Sequence, residues 1–442
     1  MKQSHDANDN NKQIASSLAM THARVPKLRF KEFNGEWDFD KMNNITSYVD
    51  YRGRGPEKSD EGIFLVTAKN IKKGYIDYKN SKEYVPIKNY SKVMSKGLPK
   101  VGDILFTTEA PLGNIAQVDN PNIALAQRVI KLRGKECIEN TYLLHYMLAP
   151  IYQKLINRKA IGTTVQGISG KELRRTKVSF PKLPEQQKIA NFLTAVDTKL
   201  QQLTTKKETL EQYKKGVMQQ LFSQQLRFKP DVIANEEREK QSHEANSKQS
   251  ATNENQTQFP DWEFPHANVL FKSVSDKKHN SDLPILAITQ DQGAIPRELI
   301  DYNMIVSDKS VASYKVVQVG DFIISLRSFQ GGIEYSNYHG ICSPAYNILR
   351  PTSEKVNKEF YKRYLKTDKY IRQLQSKLEG IRDGKMISFK YFSEIKLPFP
   401  CFEEQQKIAN YLSAIDKKIE AVQTQISNMQ AFKKGLLQQM FV

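Results

Sequence analysis

Cysteine is scarce in this chain of 442 residues: Cys137, Cys342 and Cys401 lie far apart, with no Cys-x-x-Cys pair. That excludes a disulfide framework and zinc-ligand spacing, and the expectation is a protein of the reducing cytoplasm. The seven histidines are scattered without a pair at metal-binding spacing, and His145 in "YLLHYML" reads as a packed or partly exposed helix residue. Long apolar runs are missing as well. No stretch approaches the roughly 20 residues of a membrane span, and residues 1–23 are polar and Asn-rich, without a signal-peptide core. Catalytic signatures fail in turn. "GIRDGKM" from Gly380 has the wrong length for a phosphate-binding loop and carries Met386 where a hydroxyl is needed; "NPNI" at Asn120 is not an adenine-methyltransferase strand end. Asp383, Glu394 and Lys396 imitate a nuclease pattern, but the matching stretch of the other half puts Arg175 where Glu394 stands. No enzyme emerges from the chain by itself.

What is present begins with size and charge. A chain 39% hydrophobic and 10% aromatic can bury real cores, and its length suits two to four domains. The formal net charge is +19, which suits a polyanionic partner. Residues 24–180 carry 28 Lys/Arg against 16 Asp/Glu, and residues 259–399 carry 20 against 16, so the basicity sits in segments expected to fold.

The strongest signal is a duplication. "EQQKIAN" begins at Glu185 and again at Glu404; with that offset of 219, Phe180–Phe222 aligns without a gap on Phe399–Phe441, and 20 of the 43 positions are identical. Upstream, "ISGKELRRTKVSFP" from Ile168 faces "ISFKYFSEIKLPFP" from Ile387, "VGDILF" at Val101 faces "VGDFII" at Val319, and "KQSHDAN" at Lys2 returns as "KQSHEAN" at Lys240. A unit of about 200 residues written twice is a tandem of domains, since solenoid repeats run to only about 20–50 residues. Each "EQQKIAN" reads as a helix start: Pro184 suits a first turn, and Glu185, Glu403 and Glu404 suit the positive end of the helix dipole. Apolar residues then recur in alternating steps of three and four, at Ile189, Leu193, Val196, Leu200 and Leu203 and at Ile408, Leu412, Ile415, Ile419 and Val422. Lys207, Lys214 and Lys433 interrupt the continuation of these seams. A spacing of about 3.5 residues flanked by Gln, Lys and Glu predicts coiled-coil pairing. The simplest partner for each helix is the other, antiparallel, each about 38 residues and roughly 57 Å long.

Upstream of each helix lie short strand-like runs, "GIFLVTA", "DILFTT", "NIALAQRVIKL", "FIISLRS" and "YNILRP", with a late helical pattern from Glu139 and from Asn357. These predict α+β domains with modest sheets. Their loops mix basic, hydroxyl and amide groups: Arg52 and Arg54 in "YRGRGPEKS", Arg158, Lys159, Thr163, Thr164 and Gln166 in "NRKAIGTTVQGIS" with Lys171 beyond it, Arg327, Ser328 and Gln330 in "SLRSFQGG", and Arg382 and Lys385 in "EGIRDGKMIS" with Lys390 beyond it. Arg forks guanine, Gln and Asn fork adenine, and Lys neutralises phosphate, so these are the candidate DNA-binding residues.

Taken in order and twice over, "VGDILFTTEAPLGNIA" and "VGDFIISLRSFQGGIE", "IGTTVQGIS" and "GIRDGKMIS", then "FPKLPEQQKIANFL" and "FPCFEEQQKIANYL" make the chain resemble, from end to end, the specificity subunit of type I restriction-modification systems. The resemblance implies an α+β protein of two tandem target recognition domains joined by two long helices in an antiparallel coiled coil, with a pseudo-twofold internal repeat. On this sequence that gives a polar tail 1–23, recognition domain 24–180, spacer helix 181–228, polar linker 229–258, recognition domain 259–399 and spacer helix 400–442. It further implies a non-catalytic chain that reads a bipartite, asymmetric site in double-stranded DNA, with the helices fixing the gap and docking two modification subunits. Those would bring S-adenosylmethionine and methylate adenine; two restriction subunits would bring ATP, Mg and cleavage. The rival expectation is a coiled-coil adaptor that touches no nucleic acid.

Overall fold

The structure is a computed structural model and describes residues 25–51, 55–230, 258–280, 282–300, 311–376 and 387–442. The chain divides into two units, residues 1–205 with 423–442, and residues 206–422. Each unit combines one globular segment with the first part of one long helix and the last part of the other.

In the first unit, strands β1 (Asp38–Lys41), β2 (Thr46–Asp50), β3 (Ile63–Val66), β4 (Tyr84–Val85), β5 (Ile104–Thr107), β6 (Ile115–Gln117), β7 (Ile123–Leu125), β8 (Val129–Gly134) and β9 (Lys177–Phe180) form three small sheets. Their orders are β2-β8-β5-β6, β4-β3-β7 and β1-β9, and only β3–β7 is parallel. β5 is buried throughout because both neighbours and both faces are covered, which is why it reads as an unbroken apolar run. "NIALAQRVIKL" does not make one strand. Arg128 takes φ 76, and the left-handed turn sends β7 and β8 into different sheets. The late helical pattern is likewise two helices, Asn140–Leu148 and Pro150–Lys159, because Pro150 holds Ala149 extended (φ −64, ψ 144) and then starts the next helix itself.

The second unit carries β10 (Phe271–Val274), β11 (Leu286–Thr289), β12 (Gly293–Pro296), β13 (Lys315–Val317), β14 (Phe322–Ile324), β15 (Glu334–Tyr335), β16 (Gly340–Cys342) and β17 (Asn347–Pro351). Its main sheet is β10-β17-β14-β15, beside the hairpin β11-β12 and the pair β13-β16. Its helical pattern also splits, into Lys358–Tyr364 and Asp368–Ser376, where the Thr367 hydroxyl accepts the Tyr370 N–H at 3.3 Å and caps a new start. The expectation of α+β segments with modest sheets therefore holds in both units.

The long helices are Leu183–Phe222 and Phe402–Gln439. Every seam position named above is buried except Leu200 and Ile419, which are half-buried. Within the first unit Lys433 pairs with Asp197 at 2.5 Å, and within the second Lys214 pairs with Asp416 at 2.5 Å. As one number rises the other falls, so the pairing is antiparallel. The two pairs are the same pair one repeat apart, and they account for two of the three lysines that break the apolar seam: the half-buried Lys214 and Lys433 each meet a carboxylate across it, whereas Lys207 pairs with Glu211 of its own helix at 3.6 Å. The first turns of each helix do more than pair with the other helix. Ile189, Leu193 and Val196 share one core with Trp37, Tyr142, Tyr152, Leu436 and Met440; Ile408, Leu412 and Ile415 share another with Trp262, Phe360, Tyr361, Val217 and Leu221. Burying a leucine such as Leu193 stabilises by about 1.5–3 kcal/mol, so the same core anchors each helix both in its globular segment and on its partner.

Candidate nucleic-acid interface

The groups expected to touch DNA stand on a framework that is the same in both units. Glu185 is buried and accepts Arg29 Nε and Nη2 at 2.7 Å each and the Trp37 indole N–H at 3.3 Å. Glu404, equally buried, accepts Arg227 Nε at 3.0 Å, Nη2 at 2.8 Å and the Trp262 indole at 2.9 Å. These hydrogen bonds favour the charged guanidinium and hold both arginines above their ordinary pKa. The next residue locks the helix to its own segment: Gln186 accepts the Glu139 N–H and donates to the carbonyls of Cys137 and Pro181, while Gln405 accepts the Asn357 N–H and donates to those of Lys355 and Pro400. Reading these glutamates only as complements of the helix dipole misses the clasp they close. Its sequence signal was present in "LRFK", which occurs at Leu28 and at Leu226 and carries the clasp arginine each time.

The repeated "VGD" is a second framework site. Gly102 and Gly320 take φ 89 and φ 94, turning the chain into the sheet. Asp103 accepts Arg133 Nε at 2.5 Å, Arg133 Nη2 at 2.8 Å and the Lys100 N–H at 2.9 Å; Asp321 accepts Arg350 at 2.8 and 2.7 Å and the Gln318 N–H at 2.8 Å. Burial pushes the Asp103 carboxyl up, but the Arg133 fork, the Lys100 amide and the nearby Lys131 outweigh it, and its pKa lies below the usual carboxylate range.

On this frame the first unit presents the loop Ile161–Gly167. It is closed by Ile161 N–H to Gly167 O at 2.9 Å and Gly167 N–H to Ile161 O at 3.0 Å, and tied down by Ile168 N–H to Thr108 O at 3.0 Å. Gly162 sits at φ 120, where an added Cβ would lie 2.2 Å from Val165 O, so the tight turn requires glycine. Thr163, Thr164 and Gln166 stand exposed on it. Arg158 and Lys171 flank the loop and are exposed, whereas Lys159 is half-buried and paired with Glu172 at 3.3 Å. Ser169 caps the following helix by accepting the Glu172 N–H at 3.1 Å. Arg52 and Arg54 lie outside the described residues.

In the second unit Arg327 and Gln330 are exposed. Ser328 is buried instead, and its hydroxyl accepts the Ser325 N–H at 2.9 Å, so it shapes the turn and does not face solvent. Gly332, at φ 82, closes the turn where a Cβ would lie 2.2 Å from Leu365 O. The tip of the β11–β12 hairpin, missed in the sequence reading, meets this turn: Gln290 Nε2 donates to Arg327 O at 3.3 Å, Lys366 Nζ donates to Gln290 O at 3.2 Å and to Glu334 Oε1 at 2.5 Å, and Gln292 stands exposed beside them. Burial pushes the Glu334 carboxyl above its ordinary value despite Lys366. Ser388 caps the next helix through the Tyr391 N–H at 3.3 Å, and Lys390 is exposed. Arg382 and Lys385 fall outside the described residues. Among the described residues no group of His, Cys, Asp or Glu could hold a metal ion, and no helix is long and apolar enough to cross a membrane. The surface offers hydrogen bonds and positive charge.

Comparison with known proteins agrees with this geometry. The profile of the type I restriction modification DNA specificity domain matches twice, at residues 52–212 and 265–429. A putative type I restriction enzyme MjaX specificity subunit of Methanocaldococcus jannaschii is 28% identical over 362 residues, covering 76% of this chain and 77% of its own. The type I restriction enzyme MjaVIII specificity subunit of the same organism is 23% identical over 436 residues, covering 92% of this chain and 94% of its own. In fold, the crystal structure of the S subunit of a type I restriction-modification system from M. genitalium matches with a TM-score of 0.55 at 16% identity, over 95% of this chain and 99% of that one. With both halves matched by one profile and the framework repeated in each, the chain belongs to the type I restriction-modification specificity-subunit family.

Proposed function

We propose that this chain is the non-catalytic, sequence-reading subunit of a type I restriction-modification complex. Residues 24–180 and 259–399 each read one half of a bipartite, asymmetric site in double-stranded DNA, and the long helices of 181–228 and 400–442 set the gap between halves. The observation that carries this reading is a contrast. The clasp, the Asp–Arg pair and the helix pairing recur nearly atom for atom in both units, while the residues at matching loop positions differ: Thr163, Thr164 and Gln166 stand where the other copy has Arg382, Asp383 and Lys385, and Arg327 and Gln330 stand where the first has Glu109 and Leu112. One scaffold carrying two different sets of base-edge donors suits two different half-sites.

Docking is supported on the opposite grounds. Gln187, Asn191, Ala195 and Lys199 form an exposed stripe at helical spacing, and Gln406, Asn410, Ala414 and Lys418 repeat its letters, with Asn410, Ala414 and Lys418 exposed and Gln406 half-buried where it accepts Asn357 Nδ2 at 2.8 Å; Gln187 and Gln406 each donate to the asparagine four residues on at 2.8 Å. Internal packing does not constrain solvent-facing positions. Their retention in both copies fits one partner bound twice, the modification subunit, which supplies S-adenosylmethionine for adenine methylation; restriction subunits supply ATP- and Mg-dependent cleavage.

The test is binding of the full chain with its modification subunits to duplex DNA across a salt series. A steep fall of affinity with salt is expected, and replacing Arg158 and Lys171 together by alanine should reduce the log–log slope by about 2 while lowering affinity for all sequences. Salt-insensitive binding, or unchanged half-sites after exchange of residues 24–180 for another such domain, would leave a coiled-coil adaptor as the better description.

A further inference from the structure

Arg128 was not among the candidates that the sequence suggested, yet the fold sets it beside them. It stands between β7 and β8 at φ 76, a left-handed conformation that a side chain with a Cβ adopts only at a cost. The turn is held: the Arg128 carbonyl accepts the Thr108 N–H at 3.0 Å and the Thr108 hydroxyl at 3.2 Å. The same Thr108 offers its own carbonyl to Ile168, so the arginine turn and the reading loop Ile161–Gly167 hang on one residue. Glu109 touches both, bridging to Gly167 on one side and pairing with Arg128 Nε at 2.8 Å on the other. Neither partner of that pair is committed to the core: the side chains are 51% and 41% exposed. Gln127, next to Arg128, is exposed as well.

We infer that Arg128 is a base-reading residue of the first unit, parked on Glu109 while DNA is absent. A structural ion pair needs no strained backbone at an exposed position, and a glycine there would remove the strain. What the left-handed turn does achieve is to set an exposed guanidinium fork against Glu109, whose backbone bridges Gly167 at the end of the loop that bears Thr163, Thr164 and Gln166. Such a fork matches the O6 and N7 acceptors of guanine, and Glu109 offers it a carboxylate of similar geometry until a base edge replaces it. The second unit has no arginine at the matching position. Arg133 and Arg350 occupy matching places through their pairs with Asp103 and Asp321, and five residues before them stand Arg128 and Ala345. An arginine kept in one copy only is what half-sites of different sequence require.

This inference rests on the proposed DNA-reading function, and the experiment separates the two. The full chain with its modification subunits is used to select from a pool of duplexes of randomised sequence, as wild type and as Arg128→Gly, Arg128→Lys and Glu109→Gln. Glycine accepts φ 76 freely, so Arg128→Gly should melt no lower than wild type. The expected result is that Arg128→Gly and Arg128→Lys lose preference for one guanine in one half-site, by about 5- to 150-fold, with the other half-site unchanged. Glu109→Gln should keep the motif and bind it about 1.5- to 5-fold more tightly, because a competing surface carboxylate is gone. An unchanged motif in Arg128→Gly overturns the inference, as does a Glu109→Gln chain that melts lower and binds more weakly, which would mark the pair as a structural clamp. Failure of the wild type to select any motif would instead sink the DNA-reading function itself.

Discussion

Neutralising the clasp carboxylates tests the framework most directly. Glu404 is fully buried and holds three donors, two from Arg227 and one from Trp262. In Glu404→Gln the size is kept and the charge lost: the amide oxygen can still receive one donor, but its NH2 faces the guanidinium. Breaking a buried pair by removing one partner costs about 3–5 kcal/mol. Here Arg227 keeps its bonds to the carbonyls of Phe259 and Pro260 and remains 21% exposed, so it recovers part of its solvation. We therefore expect a loss near 2 kcal/mol, or about 4–8 °C in Tm for a unit of this size. The same change at Glu185 should cost about as much. The assay is built into the chain, because its only two tryptophans, Trp37 and Trp262, are the indole donors of the two clasps. With Trp37→Phe as background, thermal unfolding followed by Trp262 emission reads Glu404→Gln alone; with Trp262→Phe, Trp37 reads Glu185→Gln. A shift below about 1 °C at both sites would refute the claim that a buried charge-assisted fork secures each helix start.

Two further predictions follow from buried charge. Burial pushes the His145 imidazole down to about 3, the charge of Lys433 adding to the effect, and neither ring nitrogen has a hydrogen-bond partner. An unfolded histidine titrates near 6.5, so between about pH 6 and pH 4 the unfolded chain binds one more proton, and stability falls by about 1.4 kcal/mol per pH unit as pH drops. His145→Phe should flatten that slope in urea titrations monitored by Trp37. In the helix pair, Lys433→Asp sets a second carboxylate against Asp197 and should destabilise by about 1–2 kcal/mol, with Asp197→Lys restoring most of it in the double variant; a double variant no better than the single in thermal melts would show that the pair does not fix the register.

Much of this could be read from letters alone because the gene product carries its own comparison. Twenty identities in 43 positions located the helices, and the alternation of three and four located their seam. The interruptions by Lys214 and Lys433 looked like flaws because their partners, Asp416 and Asp197, lie some 200 residues away in the chain. Periodicity reports which face is apolar but not what faces it. The same limit hid the clasp: Arg29 and Glu185 are 156 positions apart, and no local pattern joins them. Reading loops were harder still. Exposed Arg, Thr and Gln are common in any loop, so "SLRSFQGG" suggested Ser328 together with Arg327, and only packing shows that one is inside and the other out.

The sequence by itself determined the duplication, the α+β class, the two long helices and the basic surface, because those depend on composition and on spacings of a few residues. Tertiary structure decided which charges are buried framework and which stand at the surface. Arg133, Arg350, Arg29 and Arg227 are held on buried carboxylates; Arg158 and Arg327 stand at the surface, and Arg128 is turned outward by a strained backbone. A charge on a linear chain does not reveal its partner. Once burial makes an unpaired carboxylate too costly, the fold assigns some arginines to the interior and leaves the others at the surface.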